Sequence, residues 1–435
     1  MSREQLHTTR VDPPSAILVG LATQGDERSS GEALLELSQL ADTAGFQVTG
    51  SLVQHRRTPD PNTYLGSGKV SELAGMVRQL GAKVVVADDP LGPTQARNME
   101  SALGVPVVDR SELILLIFGY HARTSQARLQ VELAQLEYQL PRLKRMWTHL
   151  ERQRGGIGVR GGAGEKQIDV DRSALRTRIA GIRRDLRGIQ ARRSRQIRSR
   201  GSLFSIALVG YTNAGKSTLM NRLTQAGVLA ENRLFSTLDT LTRPWRLPGG
   251  RTVLVSDTVG FIRNLPHQLV ASFHATLEEA LQADLLFLVV DASSPEARQQ
   301  METVESVLEQ LGAGAIPRIH VLNKVDALED RSHLAGLYAR SPKAVALSAA
   351  TGEGLPELEK ALLGHMSASE RRAELLLPHA LAGLQAEIRA NVTVMAERYT
   401  EEGCILDCLV NPSFLEELLA RGIRPVPPTP NAPDA

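Results

Sequence analysis

The segment Gly210-Tyr211-Thr212-Asn213-Ala214-Gly215-Lys216-Ser217-Thr218 places a lysine and a hydroxyl directly behind the second of two spaced glycines. This is the pattern of a phosphate-binding loop. Backbone N–H groups of such a turn curl around a polyphosphate, Lys216 bridges its last two phosphates, and the Ser217 hydroxyl is a ligand for Mg²⁺. The chemistry needs a strand in front and a helix behind. The apolar run Ile206–Val209 reads as that strand, and Thr218–Gln225 as that helix.

A phosphate loop does not choose the base. Asn323-Lys324-Val325-Asp326 follows the apolar run Ile319–Leu322. A carboxylate such as Asp326 accepts from guanine N1–H and its 2-amino group together, whereas adenine has an acceptor at N1 and nothing at C2. Lys324 would lay its methylene stem on the ring, and Asn323 would tie this loop to the phosphate loop. After Ala344–Leu347 come Ser348, Ala349 and Ala350, where the Ala349 amide would donate to guanine O6. The expected ligands are GTP and GDP.

Between the two motifs lies a switch. Thr252–Ser256 reads as a strand ending in Asp257-Thr258-Val259-Gly260. There Asp257 would hold Mg²⁺ through a water, and the Gly260 amide would meet the γ-phosphate. Upstream, Phe235-Ser-Thr237-Leu-Asp-Thr240-Leu-Thr242 is the only hydroxyl-rich loop before that strand. Thr237, with Thr240 second, is expected to complete the metal shell, and Phe235 to lie at the nucleotide. Lys216, Thr237 and Gly260 are the expected catalytic groups. Loss of the γ-phosphate would release both loops. Trp245 to Thr252 reads as a hairpin, which makes one edge strand of the sheet antiparallel.

Phe261 follows Gly260, where many P-loop GTPases carry the glutamine that orients the attacking water. Phenylalanine has no group for that task, so unaided hydrolysis is expected to be slow.

Net charge is +2 over 435 residues, from 50 Lys and Arg against 48 Asp and Glu. Residues 141–200 alone hold 18 basic against 5 acidic side chains, so the remainder of the chain is net acidic. A concentrated basic module on an acidic body is a footprint for nucleic acid. Leu129, Leu133, Leu136, Leu140 and Leu143 repeat at helical spacing, as do Leu175, Ile179, Ile182, Leu186 and Ile189. The glycines of Arg154–Gly164 cannot continue either helix, so the two fold back as an antiparallel hairpin, each arm about 40 Å long at about 1.5 Å per residue. Arg154 and Arg160 at the tip, with Arg172, Arg176, Arg183 and Arg184 on the second helix, are the candidate RNA contacts.

Upstream, Ala16–Leu21, Ala33–Ala44, Phe46–Val48, Lys69–Leu80, Val84–Ala87, Thr94–Leu103 and Val105–Val108 alternate as in a small parallel α/β domain. Its Thr63-Tyr-Leu-Gly-Ser-Gly-Lys69 lacks the full phosphate-loop spacing and reads as a helix-opening turn. Downstream of a last core helix at Gly354–Met366, Ala382–Val394 reads as helix, Cys404–Val410 as strand and Pro412–Ala420 as helix. Cys404 and Cys408 are the only cysteines, too few for a disulfide framework and without partners for zinc. No apolar run approaches a membrane span, and a cytoplasmic location is expected.

The expected class is α/β: an N-terminal parallel α/β domain (1–120), a helical hairpin (121–200, tip 155–164), a P-loop GTPase domain with a mostly parallel six-stranded sheet (201–367), a small α+β module (368–424) and a disordered proline-rich tail (425–435).

Thr63–Lys69, Leu129-Gln-Val-Glu-Leu-Ala-Gln-Leu-Glu-Tyr138, Gly155-Gly-Ile-Gly158 with Gly164-Glu165, Gly210–Ser217 and Asp257-Thr-Val-Gly-Phe-Ile-Arg263 together resemble the HflX family of bacterial GTPases. Departures fall at Ala163 and at Thr240, where the family often has proline. The resemblance implies a GTPase that binds the large ribosomal subunit and its rRNA, inserts the hairpin near the peptidyl-transferase centre and separates stalled ribosomes. It implies that an apolar residue at 261 is normal and that ribosomes stimulate hydrolysis, and it brings in ATP as a ligand of the N-terminal domain. Two other readings are a GTP-dependent switch for a protein partner and an ATP-dependent RNA remodeller acting through the N-terminal domain. With no catalytic duty for the ring, Phe261→Leu is expected to cost little unstimulated turnover, measured as phosphate release; a collapse of that turnover would contradict the reading of this position.

Overall fold

The computed structural model describes residues 13–22, 34–143, 163–199, 203–225, 235, 241–248, 250–263 and 281–426. The chain divides into two compact units, the first made of residues 1–187, 233–235 and 264–272 and the second of the rest.

In the first unit, β1 (Ser15–Ala22), β2 (Gln47–His55), β3 (Val84–Ala87) and β4 (Val107–Asp109) form a parallel sheet in the order β2-β1-β3-β4. Helices Leu35–Thr43, Ser67–Leu80, Pro93–Leu103 and Arg110–His121 connect and follow the strands. One core packs Ile17, Val19, Val85 and Ala87 of the sheet against Leu73, Val77, Met99 and Leu103. β2 runs seven residues beyond the expected Val48. It is an edge strand whose outer positions face water, so its polar stretch carries no apolar alternation to read. Arg110, fully buried, donates to Asp88 and Glu36. Burial pushes the Asp88 carboxyl up and the Arg110 guanidinium opposes that shift.

Helix Ser125–Gln139 and the long helix Ala163–Ser199 carry the two expected seams. Leu133, Ile179 and Ile182 are buried together, flanked by Leu129, Leu136, Leu140 and Leu186. Glu132 and Glu137 lie on opposite sides of the first seam; Arg178 and Arg183 lie on opposite sides of the second. The ion pairs Glu132–Arg178 and Glu137–Arg183, both at 2.7 Å, join like flanks, which meet only when two helices run antiparallel. The first arm gives way at Leu140–Arg142 to a 3₁₀ turn containing Pro141, which has no N–H for the helix. The second begins at Ala163 and takes in Gly164. The rest of the glycine tip, with Arg154 and Arg160, lies outside the described residues.

In the second unit, β5 (Ser205–Gly210), β6 (Leu241–Arg246), β7 (Thr252–Asp257), β8 (Leu285–Asp291), β9 (Arg318–Asn323) and β10 (Val345–Ala346) form a six-stranded sheet in the order β10-β9-β8-β5-β7-β6. Only β6 is antiparallel, paired to β7 as the Trp245–Thr252 hairpin requires. Ile206, Leu208, Phe287, Val289 and Val321 pack beneath helices Lys216–Thr224 and Leu355–Ser369, through Leu219, Leu223, Leu358 and Leu362.

The C-terminal module is a four-stranded antiparallel sheet of β11 (Arg371–Pro378), β12 (Thr393–Thr400), β13 (Gly403–Val410) and β14 (Arg424–Val426), ordered β12-β13-β11-β14. Two expectations are corrected here. The helix ends at Asn391, because Thr393 onward pairs with β13. The proline-rich tail begins later than residue 425, since Pro425 and Val426 pair with β11, where an edge position tolerates proline. Cys404 and Cys408 are buried fillers of this core, and burial pushes the Cys408 thiol up to about 12. Among the described residues no helix is long and apolar enough to cross a membrane.

Ile182 is fully buried at the centre of the hairpin seam, whereas the Glu132–Arg178 pair is half exposed. Ile182→Ala is expected to destabilise the first unit by about 2–4 kcal/mol, and Arg178→Ala by under about 1 kcal/mol. Denaturant unfolding of the full chain, with proteolysis of the hairpin as a local readout, checks that order.

Candidate guanine-nucleotide site at the carboxyl ends of the strands

β5 ends in Gly210, and the helix behind the loop starts at Lys216 with Gly215 as its cap. The loop between them is built for close approach. Gly215 has φ +93°, and a Cβ there would lie 2.2 Å from Asn323 Nδ2; at Gly210 it would meet the Val289 carbonyl oxygen at 2.2 Å. Asn213, exposed, also takes a positive φ of 61°. Lys216 is buried, and its Nζ donates to the carbonyls of Gly210 (3.1 Å) and Tyr211 (2.8 Å), which holds the ammonium inside the loop. Burial pushes the Lys216 ammonium down to about 8, against the pull of the Asp257 carboxylate.

Ser217 Oγ donates to Asp257 Oδ2 at 2.6 Å, so the two described residues expected at the metal stand side by side, one on the helix and one at the end of β7. A hydroxyl beside a carboxylate is an oxygen donor set suited to Mg²⁺. The chain then turns back over the phosphate loop. Phe261 N–H donates to Gly210 O at 3.0 Å, Thr212 N–H donates to Phe261 O at 2.7 Å, and Arg263 N–H donates to Tyr211 Oη at 2.8 Å. Gly260 is thereby pressed on the loop. A Cβ on it would lie 2.8 Å from Thr212 Cα and Cγ2 and 3.0 Å from Lys216 Nζ. Phe261 is buried. So is Thr212, whose Oγ1 has no hydrogen-bond partner among the described residues, a condition that costs about 1–3 kcal/mol.

Asn323 joins the loop after β5 to the turns after β9 and β10. Its Nδ2 donates to the Ala214 carbonyl at 2.8 Å, as expected, and its Oδ1 accepts from the Ala349 amide at 2.9 Å. That amide, expected to serve guanine O6, is here committed to Asn323. Lys324 sits in the left-handed region at φ +65°, and its Nζ donates to Asp291 Oδ2 at 2.7 Å. Asp326 is exposed on the following 3₁₀ turn. Ser348 is fully buried, Ala349 buried and Ala350 exposed. Ser348 Oγ accepts from the Thr351 amide at 3.1 Å.

Two helpers, Asp291 and Arg222, were missed in the sequence, as was the side-chain contact of Tyr211. Asp291 fixes Lys324; an acid closing the apolar run Leu285–Val290 was the available signal. Arg222 donates from Nε to the Ala349 carbonyl at 3.3 Å and from Nη2 to that of Ala350, which ties the loop to the phosphate-loop helix. Tyr211 contributes its hydroxyl in addition to its backbone. Neither Arg222 nor Tyr211 had a sequence signal for these contacts. Thr237, Thr240 and Ser236 lie outside the described residues. Phe235, with φ +57°, is buried edge-to-face on Phe118 at 4.6 Å, and residues 233–235 belong to the first unit.

The candidate RNA residues divide. Arg176 and Arg184 are exposed, Arg172 lies 3.7 Å from Asp169, and Arg183 is held by Glu137. In the N-terminal domain, the turn at Gly66 opens helix Ser67–Leu80 as expected, with the Gly66 amide donating to Gln54 Oε1 at 2.8 Å and Lys69 paired to Glu72.

The chain matches three family descriptions in succession: "GTP-binding GTPase N-terminal" over residues 31–119, "GTP-binding GTPase Middle Region" over 121–200 and "50S ribosome-binding GTPase" over 205–324. It is 45% identical to the GTPase HflX of Magnetococcus marinus over 413 residues, covering 94% of this chain and 95% of that one. The chain belongs to the HflX family. The HflX GTPase of Escherichia coli K12 is 44% identical, covering 86% and 88% of the two chains. A solved complex of the GTP-binding protein SsGBP with GDP is 26% identical, covers 81% of this chain and 98% of its own, and superposes with a TM-score of 0.47. As a member of that family with a matching GTPase domain, the chain is a GTPase that binds GTP and GDP.

Asn323→Ala would strand a buried carbonyl and a buried amide. It is expected to lower stability by about 2–4 kcal/mol and to abolish tight binding of a fluorescent GTP analogue. Gly215→Ala, whose methyl would strike Asn323, is expected to mimic the binding loss. Melting curves and nucleotide titrations check both.

Proposed function

We propose that this GTPase binds the large ribosomal subunit in its GTP state, places the helical hairpin near the peptidyl-transferase centre, and splits or recycles stalled ribosomes, with hydrolysis to GDP permitting release. The observation that carries the reading is the basic hairpin. Residues 141–200 hold 18 basic side chains, and Arg176 and Arg184 stand exposed on its second helix without an ion-pair partner among the described residues. Arginine forks grip phosphate oxygens bidentately, which suits an rRNA backbone. The description "50S ribosome-binding GTPase" for residues 205–324 supports the same partner.

In this reading Lys216 neutralises charge on the terminal phosphates and the Gly260 amide meets the γ-phosphate. Asp326 reads the guanine edge while Lys324, fixed by Asp291, covers the ring. Mg²⁺ would be held by the Ser217 and Thr237 hydroxyls and by Asp257 through a water. It would supply charge neutralisation on the β- and γ-phosphate oxygens. Arg154 and Arg160 at the tip, with Arg172, Arg176, Arg183 and Arg184 behind it, are the proposed rRNA contacts.

Cosedimentation with purified large subunits tests this. The chain with a non-hydrolysable GTP analogue is expected in the pellet and the GDP form in the supernatant. Affinity should fall steeply with salt, and Arg176→Ala with Arg184→Ala should reduce the log–log slope by about two. Equal pelleting in both nucleotide states, or a flat salt response, would overturn the reading.

A further inference from the structure

We propose that the Thr212 hydroxyl is the group that orients the attacking water in this GTPase, the task for which Phe261 has no chemistry. The inference rests on GTP hydrolysis alone, and not on the ribosomal reading.

Four observations converge on Thr212. Its side chain is buried and Oγ1 has no hydrogen-bond partner among the described residues, although buried hydroxyls are ordinarily satisfied. Its position is fixed from both sides, because its own amide donates to Phe261 O and the Phe261 amide donates to Gly210 O. It stands beside Gly260 and Lys216, since a single point off Gly260 Cα is 2.8 Å from Thr212 Cγ2 and 3.0 Å from Lys216 Nζ. Finally, the side chain following Gly260 is a buried phenyl ring, so the side of the γ-phosphate facing this turn receives no polar side chain from residue 261.

Cγ2 is the Thr212 side-chain atom that faces Gly260. Rotation of χ1 by about 120°, to another staggered position, carries the hydroxyl to the place the methyl held and the methyl to that of the Cβ hydrogen. With GTP bound, Oγ1 then has the partner it otherwise lacks. The water donates one hydrogen to Thr212 Oγ1, and its oxygen bonds to the γ-phosphorus as the bond to the β–γ bridging oxygen breaks. The water's other proton passes to a γ-phosphate oxygen, so the products are GDP and inorganic phosphate and the threonine is unchanged. Its hydroxyl is far too weak a base to take that proton, and its contribution is orientation.

Single-turnover hydrolysis without ribosomes, on Thr212→Val and Thr212→Ser, tests the proposal. Valine keeps the shape and removes the oxygen. It is expected to slow hydrolysis about ten- to hundredfold, with affinity for GTP and GDP within about threefold of the original. Serine is expected to restore most of the rate. A second readout is the fluorescence response of bound mant-GDP to aluminium fluoride, an analogue of the transferring phosphoryl group. Valine should lose it and serine retain it. Valine hydrolysing at the original rate, or valine and serine failing alike, would overturn the proposal. If valine at 212 does not bind nucleotide, Thr212→Ala carries the same contrast with serine. A chain that hydrolyses as described but does not sediment with ribosomal subunits leaves this proposal standing and removes the other.

Discussion

Asn323 uses both ends of one amide, giving a hydrogen to the Ala214 carbonyl and taking one from the Ala349 amide. Three loops from three different strand ends are thereby joined at one buried side chain. Each bond is worth only about 1 kcal/mol net, but leaving either buried backbone group unmatched would cost more. The glycines around it follow from that closeness. Gly215 has no room for a methyl because Asn323 occupies it, and Gly210 has none because it lies on the Val289 carbonyl of the neighbouring strand. Lys324, next in sequence, is driven into a left-handed backbone that L side chains seldom adopt. Asp291 holds it there at a strand end of its own. The arrangement around Asn323 therefore depends on the sheet being assembled, since β5, β8, β9 and the turn after β10 each supply one corner.

A second set of bonds closes the opposite side of the phosphate loop. The pairing of Tyr211 with Phe261 is an isolated parallel bridge, extended by the Tyr211 hydroxyl to the Arg263 amide. It explains how an apolar residue can follow Gly260. The ring is buried in packing, while its backbone performs the attachment. A polar side chain there would have to be desolvated without a partner. What the phenyl group cannot offer to a water has to be offered by a neighbour, and the same bridge that buries Phe261 brings Thr212 against Gly260.

How far the sequence could be read followed the strength of local constraint. Gly210–Ser217 and Asn323–Asp326 were legible because their chemistry requires fixed residue types at fixed spacing, and the structure joins them through Asn323 as expected. β5 and β8 were legible because a strand covered on both faces reads as an unbroken apolar run, and β9 by its apolar residues around His320. β2 was half-legible, because an edge strand need not be apolar on either side. β11 and β12 were missed: Arg371 and Arg372 open one, and Glu397 and Arg398 sit within the other, all four exposed, with Arg372 paired to Asp407 and Glu397 to Arg389. The contacts of Arg222 and of the Tyr211 hydroxyl link residues 127 and 52 positions apart, a distance at which no local pattern carries information.

The hairpin shows why a charge count is not a contact list. The two glutamates of the first helix face the second, and each takes one arginine, so Arg178 and Arg183 are spent partly on holding the arms antiparallel. Exposed pairs of this kind add little stability, but they set register and direction in a way that the leucine seam, nearly symmetric under reversal, does not. Arg176 and Arg184, one or two residues from those pairs in sequence, face outward instead. The acidic residues of the first helix thus sort the arginines of the second into those that build the finger and those that face outward. Among the described residues of the first arm two glutamates make such pairs, and both lie ahead of the basic stretch 141–200.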